Sequence, residues 1–330
     1  MPDTVKRLGA VAFVMLFCLA AARPAAADSA CAHRGDLDAR YCDDDRDLVA
    51  DLPLDSDAWA RPDTLGFSYV ATGDPAQHKA MFRRFMAHLA TVTGRTVHYV
   101  PRAGYAAQVQ AMRRGRLHVT AFATGATPYA VNLGGFVPFG VLADADGDYG
   151  YRMQVIVPAA SEATRLADLA GRTVAHTEES SNSGNQAPRA LLPEHGLAPG
   201  DDYTVTYSGG HEASIKGVVA GHYAAAAVAS SVLDEMVARG TIDRDAVRVL
   251  YESRPFPSAA FGHAHDLHPR LARLVRRAFF TFDFDSEAFK EAFDDARDPR
   301  PLTYRHAWAP VRAMQAENDV RYSVDALVPP

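Results

Sequence analysis

Between residues 65 and 122 apolar residues alternate between two periodicities, and that alternation restricts the chain to an α/β fold. Residues 65–71, 96–100 and 117–122 read as strands. Residues 75–93, with Met81, Phe85, Met86 and Leu89 at helical spacing, and residues 105–115 read as helices. A β-α-β-α-β order predicts parallel strands, because each helix returns the chain to the same end of the sheet. Gly115 stands where a helix end favours a residue free to take positive φ. A second unit follows the Asp- and Gly-rich turn at residues 144–150. Its strands are expected at 151–157, 172–176, 203–207, 223–228 and 247–253, with helical patterns at 165–169, 186–192 and 212–220. The helical pattern at 269–281 returns to the first unit. The expectation is two α/β lobes, residues 63–145 with 255–330 and residues 146–254. Two crossings, near 143–151 and 251–257, would form a hinge.

Residues 1–27 carry Lys6 and Arg7, an apolar run at 8–22 and the small residues Ala25, Ala26 and Ala27, the three zones of a secretory signal peptide. The run is shorter than the ~20 residues of a spanning helix, so a freely secreted, periplasmic protein is expected. Cys31 and Cys42 then remain in an oxidising compartment and are expected to form a disulfide. No Cys-x-x-Cys or nearby histidine pair favours a metal or redox role for them. The formal net charge is −6, and much of the acid lies in residues 28–62, where Asp43, Asp44, Asp45 and Asp47 cluster. This segment reads as an exposed, disulfide-pinned extension. With no basic excess the chain lacks the footprint of a nucleic-acid binder.

Ser180-Ser181-Asn182-Ser183-Gly184, just before the helical pattern at 186–192, is the strongest candidate binding element. Small hydroxyl residues and glycine at a helix start leave backbone N–H groups free to grip an anion. The alternative is an ordinary N-cap, for which Ser and Asn are equally suited. Gly209-Gly210-His211 is a second turn at a strand end before a helix, the side of an α/β sheet where ligands bind. In a chain that is negative overall, an anion site must be built from local dipoles.

Six segments carry a resemblance, in order and spacing: Gly104-Tyr105-Ala106-Ala107; Leu117-His118-Val119 followed by Thr127-Pro128-Tyr129-Ala130; Leu166-Ala167-Asp168-Leu169-Ala170-Gly171-Arg172; Ser181-Asn182-Ser183-Gly184 with Pro188-Arg189-Ala190-Leu191; Gly209-Gly210-His211-Glu212-Ala213-Ser214; and Tyr251-Glu252-Ser253-Arg254-Pro255. From about residue 65 to about 289 the chain resembles the phosphate, phosphite and phosphonate substrate-binding proteins that deliver ligand to ABC importers. The resemblance implies a type II periplasmic binding fold, a monomer that captures a phosphorus oxyanion between its lobes, and a membrane permease as partner. It implies no catalysis and no cofactor. It assigns ligand contacts to Ser180, Ser181, Asn182, Ser183 and His211 in the second lobe. In the first lobe it assigns them to Tyr105 and to Tyr129 or Thr127, with Thr124 as a further donor and backbone at Ala71 and Thr72. Asn182 stands where the family often has threonine. Ser230-Ser231 and Ser258-Ala259 stand where members that take aminoalkyl phosphonates have acidic residues. Unless Asp266 or Asp283 supplies that charge, the ligand is expected to lack an amine, as phosphate and phosphite do. A titrating His211 would strengthen anion binding as pH falls.

Thirteen histidines raise the question of a metal, yet they form no paired helical ligand motif, and no metal site is expected. His263-Ala264-His265 reads as a solvated loop. No dinucleotide or Walker glycine pattern is present. A hydrolase triad from Ser181 or Ser183 with His211 and Glu178 or Glu212 lacks the Gly-x-Ser-x-Gly elbow. A sensor docking on a membrane signalling protein is the alternative to an importer subunit.

Overall fold

The first predicted pattern folds as three parallel strands, β1 (Thr64–Tyr69), β2 (Thr96–Tyr99) and β3 (Val119–Phe122), with β1 in the middle. The computed structural model describes residues 31–325 except 71–74, 103, 145, 148, 285–288 and 290–297; the expected signal peptide at 1–27, Ala71 and Thr72 lie outside the described residues. The helix expected at 75–93 is split into α1 (Pro75–Met81) and α2 (Arg83–Thr93). Phe82, at the break, is fully buried and packs on Phe67, Tyr69, Phe85 and Phe261. Helix α3 (Tyr105–Arg113) leads to β3, with Gly115 at φ 64° just past its end. Helix α4 (Ala126–Gly134) and strand β4 (Phe136–Ala143) complete the first passage.

The second lobe is a five-stranded sheet built from β5 (Met153–Pro158), β6 (Thr173–His176), β7 (Thr204–Tyr207), β8 (Ala225–Ala229) and β9 (Val247–Glu252), in the order β7-β6-β8-β5-β9. Strand β6 runs parallel to β7 and β8, while β5 is antiparallel to β8 and β9. Its helices are α5 (Ala187–Leu191), α6 (His211–Val219) and α7 (Ser230–Ala238). The helix predicted at 165–169 is a single 3-10 turn, Leu166–Leu169.

The chain then returns through β10 (Ala260–Ala264), α8 (Pro269–Thr281), β11 (Asp298–Pro301), α9 (Tyr304–Ala307) and α10 (Ala309–Glu317). The first-lobe sheet has the order β11-β4-β10-β3-β1-β2, so parallel pairing holds for β1–β3 and fails beyond them, where β10 and β11 pair antiparallel. The loop expected at 263–265 is also overturned: His263 lies in the buried strand β10. The two crossings between lobes pair with each other, Tyr151 and Phe256 exchanging backbone hydrogen bonds of 3.0 and 2.8 Å. Helix α10 straddles both lobes. Trp308 and Val311 join the first-lobe core, and Met314 joins a second-lobe core with Leu192 and Tyr203.

The acidic extension is not simply exposed. Leu37, Tyr41, Val49 and Ala50 alternate with its polar residues and are buried in the first-lobe core, because each removes apolar area from water. Arg113 Nη1 donates to Asp38 Oδ2 at 2.7 Å, and the Tyr41 hydroxyl to Leu133 O at 3.3 Å. Cys31 and Cys42 are disulfide-bonded. Among the described residues no helix is long and apolar enough to cross a membrane.

Candidate ligand-binding site

After β6 the backbone forms a π-helical turn, Asn182–Gln186, that runs into α5. Ser181 is its N-cap, with Oγ accepting the Gly184 N–H at 3.2 Å, so the capping role is present. The same Oγ lies 3.4 Å from Nε2 of His211, the first residue of α6. His211 Nδ1 accepts the Ala229 N–H at 3.2 Å, which leaves the proton of the neutral ring on Nε2. With Gly184 N–H and Nε2–H both directed at Ser181 Oγ, that hydroxyl has its own hydrogen to donate elsewhere. No carboxylate holds Nδ1, and a protonated Nε2 cannot act as a base; the constellation of a serine hydrolase is therefore not assembled.

Burial pushes the His211 pKa down to about 4. The ring is neutral near pH 7 because desolvation outweighs its intrinsic basicity, and any imidazolium contribution to anion binding is thereby moved from near pH 6.5 toward pH 4. The sign for stability follows from linkage. The unfolded chain takes up a proton near pH 6.5 and the folded one only near 4, so the stability contributed by the neutral ring is complete above 6.5 and is lost as pH falls toward 4. Relative to a His211→Asn variant, the wild type should lose about 1.4 kcal/mol per pH unit between pH 6 and 4.5. Urea midpoints of the two proteins measured side by side check this, and a constant gap would contradict it.

A layer beneath the turn holds its shape. His176 on β6 bonds Asn185 Oδ1 through Nδ1 at 2.8 Å and the Tyr203 hydroxyl through Nε2 at 2.9 Å. Asn185 Nδ2 donates to Glu179 O at 2.8 Å, and Gln186 Nε2 donates to the same oxygen. Gly184 is required because a Cβ there would lie 2.0 Å from Thr177 Oγ1 and 2.8 Å from Ser181 Oγ.

The first lobe meets the turn directly. A Cβ on Gly125 would lie 2.3 Å from Ser180 O and 2.6 Å from Asn182 N, so the two backbones touch at this point. Tyr151, on one hinge crossing, accepts a hydrogen bond from Asn182 Nδ2 at 3.1 Å, and Thr124 and Ser183 flank the same phenol. Sequence reading missed Tyr151, since nothing in a strand pattern marks a residue whose ring is delivered by a crossing. Thr177 Oγ1, Asn182 Oδ1, Ser183 Oγ and Ser258 Oγ are buried without a well-formed hydrogen bond. Asn182 and Ser183 belong to the turn and Thr177 Oγ1 faces it at Gly184, so polar atoms there have capacity for further hydrogen bonds.

Beside the turn lies an interlobe cleft of about 770 Å³, lined by Arg102 and Gly104 from the first lobe and by Glu178, His211, Glu235 and Arg239 among others from the second. Asp266 and Asp283 are not part of its lining. Glu178 reaches across to the start of α3, accepting the Tyr105 N–H at 3.5 Å, and burial raises its pKa. Glu212 pairs with Lys216 at 3.1 Å and Arg239 at 2.9 Å, and Arg239 also approaches Glu235 at 3.6 Å. Tyr105 is buried at the head of α3. Thr127 differs from expectation: its hydroxyl donates back to Ala123 O at 3.0 Å, the i−4 bond open to a helical threonine, and is thereby used within its own helix. Tyr129 packs edge-on against Tyr322, 5.3 Å between centroids, and burial raises its pKa to about 12. Tyr322 in turn bonds Gln315 on α10, so Tyr129 is tied to the C-terminal helix; of the predicted contacts only His211 lines the cleft, and Tyr105, Thr127, Tyr129 and Ser180 to Ser183 are not among its lining residues.

Residues 67–299 match the family described as ABC transporter, phosphonate, periplasmic substrate-binding protein. Among solved structures, a binding protein component of an ABC phosphonate transporter from Pseudomonas aeruginosa is 17% identical, with TM-score 0.69 over 78% of this chain and 86% of that one. PhnD1 from Prochlorococcus marinus, in complex with methylphosphonate, is 16% identical with TM-score 0.67 over 78% of this chain and 99% of that one. XAC2383 from Xanthomonas citri, bound to chloride, is 20% identical with TM-score 0.65 over the same shares, 78% and 99%. These likenesses establish the two-lobed periplasmic-binding fold, and with the match over most of the chain they lead to one conclusion: this protein belongs to the family of periplasmic substrate-binding proteins of phosphonate ABC transporters.

Proposed function

We propose that this chain captures a phosphorus oxyanion between its lobes and delivers it to an ABC permease. The observation that supports the reading is the convergence of uncharged donors from two turns: Ser181 with a hydroxyl hydrogen to give, Ser183 beside the Tyr151 phenol, and His211, whose neutral Nε2–H now meets Ser181 Oγ and would be shared with a ligand oxygen. Such donors hold a tetrahedral anion without adding charge, and on closure they replace its water. Ser180, Asn182 and the phenol of Tyr105 complete the proposed contacts.

The cleft beside the turn leaves room for a substituent on phosphorus, which favours a small alkyl phosphonate, with phosphite and phosphate as the smaller candidates. Of the cleft carboxylates Glu212 is paired with Lys216 and Arg239 and Glu235 lies near Arg239, so neither stands ready for a ligand ammonium; Glu178, which accepts the Tyr105 N–H at 3.5 Å, is the carboxylate that an aminated ligand would test. Titration calorimetry with methylphosphonate, phosphite, phosphate and 2-aminoethylphosphonate tests the reading. The aminated ligand should bind no tighter than phosphate; a clear preference for it would reject the proposed ligand class. Tyr105→Phe should weaken the preferred ligand about tenfold, the loss of one hydrogen bond to a charged group, while its melting temperature stays near that of the wild type. Unchanged affinity would reduce Tyr105 to a packing residue.

A further inference from the structure

The N-terminal extension contains a feature that the binding site does not use. Asp43, Asp45 and Asp47 each contribute a carboxylate oxygen to a group in which all three atoms lie within 4.8 Å of one another. We propose that these three residues form a calcium site that fastens the extension. Like charges this close repel unless a proton or a cation lies among them. Among the described residues none of the three pairs with a Lys or Arg. The ring of His33 lies beside the group, its Nδ1 3.6 Å from Asp43 Oδ2 and 2.9 Å from the Asp43 carbonyl oxygen.

The independent observation is Asp43 itself. Its side chain is wholly buried and its Oδ2 has no hydrogen-bond partner. With only the His33 ring at 3.6 Å beside it, this buried oxygen lacks a hydrogen bond that would replace its hydration, and a bound cation would offset that cost. The remaining carboxylate oxygens are organised by the loop: Asp43 Oδ1 accepts the Leu48 N–H at 3.2 Å, Asp45 Oδ1 the Asp47 N–H at 3.1 Å, and Asp47 Oδ1 the Val49 N–H at 3.0 Å.

The chemistry selects the ion. All three ligands are hard oxygens, and the neighbouring sulfur atoms of Cys31 and Cys42 are taken by disulfide bonding, which excludes ions that favour thiolate. Asp at positions i, i+2 and i+4 repeats the first three ligand positions of a helix–loop–helix calcium loop. The residue that follows, Leu48, has φ 72°, where such loops place glycine to make their sharp turn. Leu54 stands where the bidentate glutamate of such a loop would be, so the affinity should fall in the range of extracellular modules, about 10⁻⁴ to 10⁻³ M. Magnesium, which demands near-ideal octahedral geometry, should bind more weakly. The bound ion would stiffen the loop beside Cys42, at the point where Arg305 on α9 donates to Arg46 O at 3.0 Å.

The test is thermal unfolding of the purified protein, freed of metal by chelator, with calcium chloride raised to about 10 mM against sodium chloride of equal ionic strength. Calcium should raise the melting temperature by about 3 °C or more, and calorimetry should give one site in the stated range. The double variant Asp45→Asn, Asp47→Asn should lose the calcium response yet melt, without calcium, at or above the wild-type temperature, because its repulsion is relieved. The single variant Asp45→Asn should bind calcium about tenfold more weakly, which keeps the test open if the double variant does not fold. Absence of any calcium response in the wild type, or an equal response in the variants, overturns the proposal.

Discussion

Gly125→Ala is expected to weaken ligand binding by a hundredfold or more, about 3 kcal/mol, while leaving the fold intact. The backbone at Gly125 is ordinary right-handed helical, φ −72° and ψ −28°, so alanine costs nothing locally. What the methyl group meets is the other lobe: Ser180 O at 2.3 Å and Asn182 N at 2.6 Å, both main-chain atoms that have no rotamer to change. The lobes must separate by about 1 Å to restore ordinary contact. A ligand gripped from two sides then loses one of them, since hydrogen bonds weaken steeply outside a narrow range of distance and angle. The measurement is calorimetric affinity beside the melting temperature of the free protein. Wild-type affinity in this variant would show that the two backbones need not touch for binding, and a collapsed melting temperature would assign Gly125 to folding instead.

Ser181→Asp should have a still larger effect, a loss of more than about a thousandfold in affinity. Aspartate is a good N-cap, and its carboxylate can accept both the Gly184 N–H and the His211 Nε2–H that now converge on Ser181 Oγ. The turn should therefore survive. The anion, however, would face a negative charge at hydrogen-bond distance in a site 2% exposed at this residue, where water screens poorly. Ser181→Ala, which deletes one donor and adds no charge, should cost only about tenfold. Thermal unfolding with and without methylphosphonate separates the two variants; equal losses would mean that the site recognises shape and not charge.

Much of this arrangement was legible in the sequence because it rests on short-range rules. Strands β1, β2 and β3 and helix α3 follow from periodicity, and the serine turn with His211 follows from hydroxyl and glycine residues at strand ends. What escaped depends on contacts distant in the chain. Strand β4, which is not among the expected strands, contains Pro138 and Gly140, residues that disfavour a strand interior, yet the β-bulge between Phe261 and Gly262 on its partner accommodates them. Strand β10 looks polar because of His263, whose ring the fold buries and drives to a pKa of about 4. Tyr151 enters the site only because the two crossings pair at Phe256. Thr127 and Tyr129 fit a motif, but which way a side chain turns depends on its neighbours, the first on Ala123 and the second on Tyr322. The acidic extension read as exposed because its charges mask the four apolar residues that anchor it.

Crystallography of the protein grown with methylphosphonate gives the most direct decision. The phosphorus atom should sit about 4 Å from Ser181 Oγ, Ser183 Oγ and His211 Nε2, the separation set by one hydrogen bond and one P–O bond, with the methyl group directed into the cleft. Density for the ligand elsewhere, with this turn still closed on Tyr151 alone, would contradict the account.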